Sequence, residues 1–170
     1  MKPIFLIGYM GAGKTSVGRA LAHRYGLEHI DLDWRIEQRF HQKISDMFAT
    51  IGEEGFRRRE RNMLHEVMGM ENVVVSVGGG TPCFFDNMEQ MNVEGDTIYL
   101  QCSVDVLVER IIRSQNKRPI VANKTKEELM KFVAEHLVER ESSYLKAKHI
   151  LHTTELNLSE INIDFVVNNY

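Results

Sequence analysis

A chain of 170 residues, 43% hydrophobic and 26% charged, has the composition of an ordinary soluble protein and the length of one domain with room for a real core. Its 21 basic and 24 acidic residues leave a net charge of −3, which excludes any general attraction to nucleic acid or an anionic membrane, so an anion site has to be local. Two cysteines, Cys83 and Cys102, stand in apolar surroundings without metal-ligand spacing and read as free thiols in a reducing cytoplasm.

The first apolar run, "PIFLIG", is broken by glycine too early for a secretion signal and reads as a strand. No run approaches the ~20 apolar residues of a membrane helix. Further short runs, "HIDL", "VVVSV", "TIYLQC" and "HILHT", alternate with helical segments at roughly 14–25, 34–40, 45–51, 53–69, 84–91, 104–114, 126–142 and 158–168. This alternation predicts an α/β fold, a parallel sheet covered on both faces by helices, in a single unit without repeats. Thr125 and Glu128 have capping-box spacing and mark the start of the 126–142 helix. Before it, "SQNKRPIVANK" is polar, basic and without period, and reads as a mobile loop over residues 114–124. The last segment, 158–168, reads as an amphipathic helix lying on the sheet.

The stretch "GYMGAGKT", Gly8 to Thr15, matches G-x-x-x-x-G-K-[ST] and sits between the first strand and the first helix, where that motif works. Glycines at 8, 11 and 13 let the backbone curl so that successive N–H groups face phosphate oxygens, and the following helix turns its positive end to the same charge. Gly11, Ala12, Gly13, Lys14, Thr15 and Ser16 are therefore assigned to ATP, with Lys14 bridging the β- and γ-phosphates and Thr15 on magnesium. A GTP-binding switch usually carries Asn-Lys-x-Asp, and "NKTK" at 123–126 lacks the aspartate. A multi-subunit ATPase needs modules for which there is no room, which leaves a small-molecule kinase.

Where many phosphate-loop enzymes end a strand in an aspartate for magnesium, "VVVSVGGGTP" ends in three glycines. Two acids stand instead in "HIDLDW": Asp31 and Asp33, two apart, point to the same side of an extended chain. One carboxylate suits a hard magnesium ion and the other a substrate hydroxyl. The competing reading makes Asp33 the N-cap of the helix that begins "WRIEQRF".

In "EEGFRRRERNMLHEVM", Phe56, Met63, Leu64 and Val67 form a packed helical face, and Arg57, Glu60 and Arg61 share another. Arginines so crowded usually make a solvated surface, yet a guanidinium fork matches a carboxylate, and Glu60 could hold that fork still. Arg140 continues the inward stripe of Leu129, Val133 and Leu137 and so requires a partner, either a structural carboxylate or an anionic ligand. Arg118, ahead of Pro119, is a candidate lid residue over the nucleotide, with a solvated loop arginine as the alternative. Arg113 is the candidate for stacking on adenine, with Arg110 as its competitor. None of the seven histidines falls in a motif.

Taken in order, "GYMGAGKT", "DLD", "GEEGFRRRE", "GGGTP", "RP" at 118–119 and the pair Arg140 and Tyr144 resemble shikimate kinase over the span from Gly8 to about Tyr144. The resemblance implies the nucleoside-monophosphate-kinase-like fold, a three-layer sandwich around a five-stranded parallel sheet of order 2-3-1-4-5. It implies transfer of the γ-phosphate of ATP to the 3-hydroxyl of shikimate, with magnesium, by a cytoplasmic monomer on the route to aromatic amino acids. Asp33 would hold the shikimate hydroxyls and act as base, with Lys14 and Arg118 as the other catalytic groups. Arg57 and Arg140 would clasp the carboxylate, the backbone of Gly78, Gly79 and Gly80 would complete the pocket, and Thr15 and Asp31 would serve magnesium. A gluconate-type sugar-acid kinase is the nearest alternative, and a non-catalytic nucleotide-binding module the more distant one.

Overall fold

A computed structural model describes residues 1–114, 124–154 and 157–168. The strands are β1 (Ile4–Ile7), β2 (Glu28–Asp31), β3 (Val73–Ser76), β4 (Asp96–Gln101) and β5 (His149–His152). They form one parallel sheet in the order β2-β3-β1-β4-β5, as the resemblance implied. Ile4, Phe5, Leu6 and Ile7 are all fully buried, and β3 is buried along its whole length. Strands covered on both faces by helices need apolar side chains on both, which is why these runs show no polar alternation.

The helices are α1 (Lys14–Tyr25), α2 (Leu32–Phe40), α3 (Ile44–Met68), α4 (Asn87–Glu94), α5 (Val104–Arg113), α6 (Lys126–Tyr144) and α7 (Asp164–Val167). The capping box at α6 is present, with Thr125 N–H donating to Glu128 Oε2 at 2.8 Å and Glu128 N–H to Thr125 Oγ1 at 3.2 Å. The expected helices 45–51 and 53–69 abut in α3, where Gly52 (φ 68°, ψ 178°) marks the kink between them.

Three expectations are corrected. α2 begins at Leu32, two residues early, because Asp31 and not Asp33 caps it: Asp31 Oδ1 accepts from Trp34 N–H at 3.2 Å. The helix expected at 84–91 is displaced to α4, because Pro82 opens a single 3-10 turn (Thr81–Cys83) and Phe85 adopts φ 53°, outside any helix. The C-terminal segment is a 3-10 turn (Leu158–Glu160), an extended stretch and the short α7. Bonds to the end of α1, with one local turn, outcompete a continuous helix there. Arg24 Nη1 donates to the carbonyls of Ser159 and Ile161, Tyr25 Oη accepts from Ile163 N–H, and Asn162 Oδ1 accepts from Asp164 N–H. Ile161 and Ile163 still reach the core, at a strand's spacing. Among the described residues no helix is long and apolar enough to cross a membrane. Arg118 and most of the expected loop lie outside the described residues.

Candidate active site

The chain order reverses at β1, whose neighbours are β3 and β4, and open parallel sheets bind ligands outside the carboxyl ends of their strands at such a point. A cavity of about 360 Å³ lies there, lined by Lys14, Thr15, Asp31, Asp33, Gly78 and Gly79 among others. Its floor is the loop after β1. Gly11 (φ 83°) and Gly13 (φ 92°) take left-handed conformations that admit glycine most readily, and the loop leads directly into the N-terminus of α1. Lys14 Nζ folds back over the loop and donates to the carbonyls of Gly8 at 2.7 Å and Tyr9 at 3.0 Å.

Asp31 has two tasks in the structure. One oxygen caps α2, and the other, Oδ2, accepts from Thr15 Oγ1 at 2.9 Å. A hydroxyl and a carboxylate oxygen so close together are the donors a hard cation prefers, so these residues fit magnesium accompanying a nucleotide. Asp33 is not extended but sits in the first turn of α2, and it still lines the cavity.

The triple glycine explains how three elements meet. A methyl group on Gly78 would lie 2.9 Å from Asp33 Oδ1 and 3.1 Å from Glu60 Oε1. One on Gly80 would lie 2.5 Å from Arg57 Nη2, and one on Gly79 would lie 3.5 Å from Arg140 Nη1. Side chains at 78 and 80 are thus excluded by close approach. Bare backbone lets α2, α3 and α6 bring two carboxylates and two guanidiniums against a single ledge. Arg57 and Arg140 flank this ledge without lining the cavity, and of the ledge itself Gly78 and Gly79 line it but Gly80 does not.

Arg57 is only 8% exposed and Glu60 1%. Arg57 Nη1 donates to Glu60 Oε2 at 2.8 Å, Thr81 Oγ1 donates to Glu60 Oε1 at 2.7 Å, and the ring of Phe84 lies 4.0 Å from the guanidinium carbon. Of the four arginines in "RRRER", this one is therefore fixed beside the ledge. Arg58 pairs with Glu54 in solvent, Arg59 lies over Phe40, and Arg61 reaches Asp86. On α6, Arg140 lies 5.9 Å from the centre of the Tyr9 ring, and Tyr144 Oη donates to the Gly79 carbonyl at 2.6 Å. Burial pushes the Tyr9 phenol up to about 12, with Arg140 pulling it down, and burial likewise raises the Cys83 thiol. Both groups stay neutral at ordinary pH.

On the nucleotide side Arg110 lines the cavity, and its Nη2 donates to the Thr153 carbonyl at 2.8 Å. Arg113, the expected adenine partner, is 81% exposed in its side chain and approaches Glu109 at 3.9 Å. Helical phase accounts for the difference: Arg113 falls opposite the buried Leu107, Val108 and Ile111, whereas Arg110 flanks them. A second hollow of about 230 Å³ joins Ala12, Gly13 and Ser16 to Arg110 and Leu158.

Sequence reasoning missed Leu158, the tether from Tyr144 and two histidine contacts. His136 Nδ1 meets Tyr9 Oη at 2.9 Å, and His29 Nε2 meets Ser76 Oγ at 3.0 Å on the cavity wall. Only the i+4 step from Arg140 to Tyr144 signalled any of these beforehand.

The family model for shikimate kinase matches residues 10–167. A shikimate kinase of Phocaeicola vulgatus is 55% identical over 92% of this chain and 89% of its own length. Among solved structures, a shikimate kinase from Bacteroides thetaiotaomicron superposes with a TM-score of 0.87 at 45% identity, covering 99% of this chain and 93% of that one. A shikimate kinase from Acinetobacter baumannii in complex with shikimate superposes with a TM-score of 0.84 at 31% identity, covering 99% and 94%. Sequence, fold and the residues gathered at the strand ends agree, and the chain belongs to the shikimate kinase family, ATP-dependent kinases that phosphorylate shikimate.

Proposed function

We propose that the acid lies against the Gly78–Gly80 ledge, with Arg57 and Arg140 clasping its carboxylate and Asp33 holding its hydroxyls, while ATP lies along residues 11–16. The observation that carries this reading is the convergence of Asp33, Arg57 and Arg140, from three helices, on one glycine ledge beside the phosphate loop. A planar fork recognises a carboxylate in two directions, and Glu60 keeps the Arg57 fork from swinging.

Asp33 accepts the proton of the 3-hydroxyl as its oxygen forms the bond to the γ-phosphorus, and the bond from that phosphorus to the β-γ bridging oxygen breaks to release ADP. Lys14 leaves its loop carbonyls for the β- and γ-phosphates, and Arg118 neutralises charge on the transferred group. Such transfers depend on position and charge neutralisation more than on covalent help. Thr15 and Asp31 would hold magnesium, which supplies positive charge to the phosphate oxygens. For adenine we favour Arg110 with Leu158 over Arg113, because these two edge the hollow beside Ala12, Gly13 and Ser16. The scheme takes a monomer as the working unit. Two free cysteines suit a reducing cytoplasm.

A coupled ADP-release assay tests the site. The expected result is magnesium-dependent turnover with shikimate, none with gluconate, and a large loss of kcat in Asp33→Asn. Full kcat in that variant removes Asp33 from the chemistry.

A further inference from the structure

A ledge of glycines has little to hold it in shape, because glycine restricts its own backbone least of all residues. The stretch Gly78–Thr81 is held at its ends: Thr81 N–H donates to the Gly78 carbonyl at 3.1 Å, Thr81 Oγ1 to Glu60, and Asn87 Nδ2 to the Thr81 carbonyl at 2.9 Å. In the middle, the Gly80 carbonyl accepts from Cys83 N–H at 2.9 Å and the Gly79 carbonyl accepts from Tyr144. That residue ends α6, one turn beyond Arg140, is fully buried, and packs against Tyr99 with ring centres 5.3 Å apart.

The carbonyl that Tyr144 holds at 2.6 Å belongs to the same peptide unit as the N–H of Gly80. No peptide bond among the described residues is cis, so carbonyl and N–H point in opposite directions, and fixing one fixes the other. Neither Gly79 nor Gly80 gives its N–H to a backbone carbonyl among the described residues. Arg140 stands beside the same peptide: a methyl group on Gly79 would lie 3.5 Å from its Nη1. We infer that Tyr144 is a positioning residue, whose single hydroxyl sets the Gly79–Gly80 peptide beside Arg140 for the substrate carboxylate. The inference rests on the substrate ledge proposed above.

Tyr144→Phe keeps the ring and deletes the hydroxyl. The expected result is a KM for shikimate raised about fivefold to tenfold, with kcat and the KM for ATP nearly unchanged. Tyr99→Phe, which removes a neighbouring hydroxyl bonded to Glu141 at 3.3 Å, should leave all three constants alone. A purely structural role would lower the melting temperature and the active fraction without moving KM. An unchanged KM in Tyr144→Phe overturns the inference. If Arg140→Lys raises KM in the same series, the ledge stands and only the tether is lost. If Arg140→Lys does not, the ledge itself is misassigned. Should Tyr144→Phe melt low, calorimetric titration with shikimate at about 10 °C, near maximum stability, reads the same ratio on folded protein.

Discussion

Where α3 meets the triple glycine, the charged groups are buried and tied down, whereas across the cavity Arg110 is only partly buried, Arg113 stands in solvent and the hollow beside the phosphate loop is edged by the exposed Leu158. The acid side is built into the core. Its residues serve packing and recognition together, so a change there should damage both. The nucleotide side relies on main-chain N–H groups and a helix end, which no single side chain carries, so changes there should separate affinity from stability.

The strongest way to break this contrast is Glu60→Ala, which removes the acceptor of the Thr81 hydroxyl and leaves the buried Arg57 guanidinium with only the half-exposed Glu53, 3.4 Å away. We expect about 3–5 kcal/mol of lost stability by chemical denaturation, together with weaker shikimate binding. Arg58→Ala, one residue along the same helix, should leave the denaturation midpoint where it was, because its pair with Glu54 is exposed on both sides. A midpoint equally insensitive to Glu60→Ala would show that the acid side is not part of the core.

Arg140→Ala should raise the KM for shikimate about 10- to 100-fold with a smaller change in kcat, as expected for a charged hydrogen bond used in ground state and transition state alike. Loss of kcat at constant KM would move Arg140 from the clamp to the chemistry. Arg110→Ala should raise the KM for ATP about fivefold and leave the KM for shikimate unchanged, a difference steady-state kinetics resolves directly. If Arg113→Ala has that effect instead, the base lies on the outer face of α5.

The smallest effect concerns pH. Burial, and then Arg140, hold His136 below its ordinary value of 6.5. As pH falls the unfolded chain takes up this proton before the native one does. The stability is therefore complete above about 6.5 and is lost as pH falls from there through the lower folded value. Urea midpoints of the native chain should fall more between about pH 7 and pH 5 than those of His136→Asn. Parallel declines would mean that burial beside Arg140 does not bias the titration.

Particular residues show how far the sequence could be read. The phosphate loop was legible because its function lies in local backbone geometry, and three glycines with a lysine at fixed spacing state that geometry outright. The sheet order came through resemblance, not from periodicity, which is blind to which strands are neighbours. Asp31 and Asp33 both line the cavity, but not as neighbours on an extended chain: the helix starts two residues early and Asp31 is its cap. Arg113 was preferred over Arg110 because two arginines three residues apart differ only in which way they face, and facing is decided by packing.

By itself the sequence determined the α/β alternation, the anion cradle, the capping box of α6 and the set of charged residues from which a site could be made, all of which depend on contacts between near neighbours along the chain. Only the tertiary structure decided which arginine of four is buried, that the Thr15 hydroxyl donates to Asp31, that Tyr144 reaches Gly79, and that the C-terminal segment breaks into a turn and a short helix. Those choices depend on partners tens of residues away, where the energy of burying a charge or leaving a donor unmet outweighs local preference.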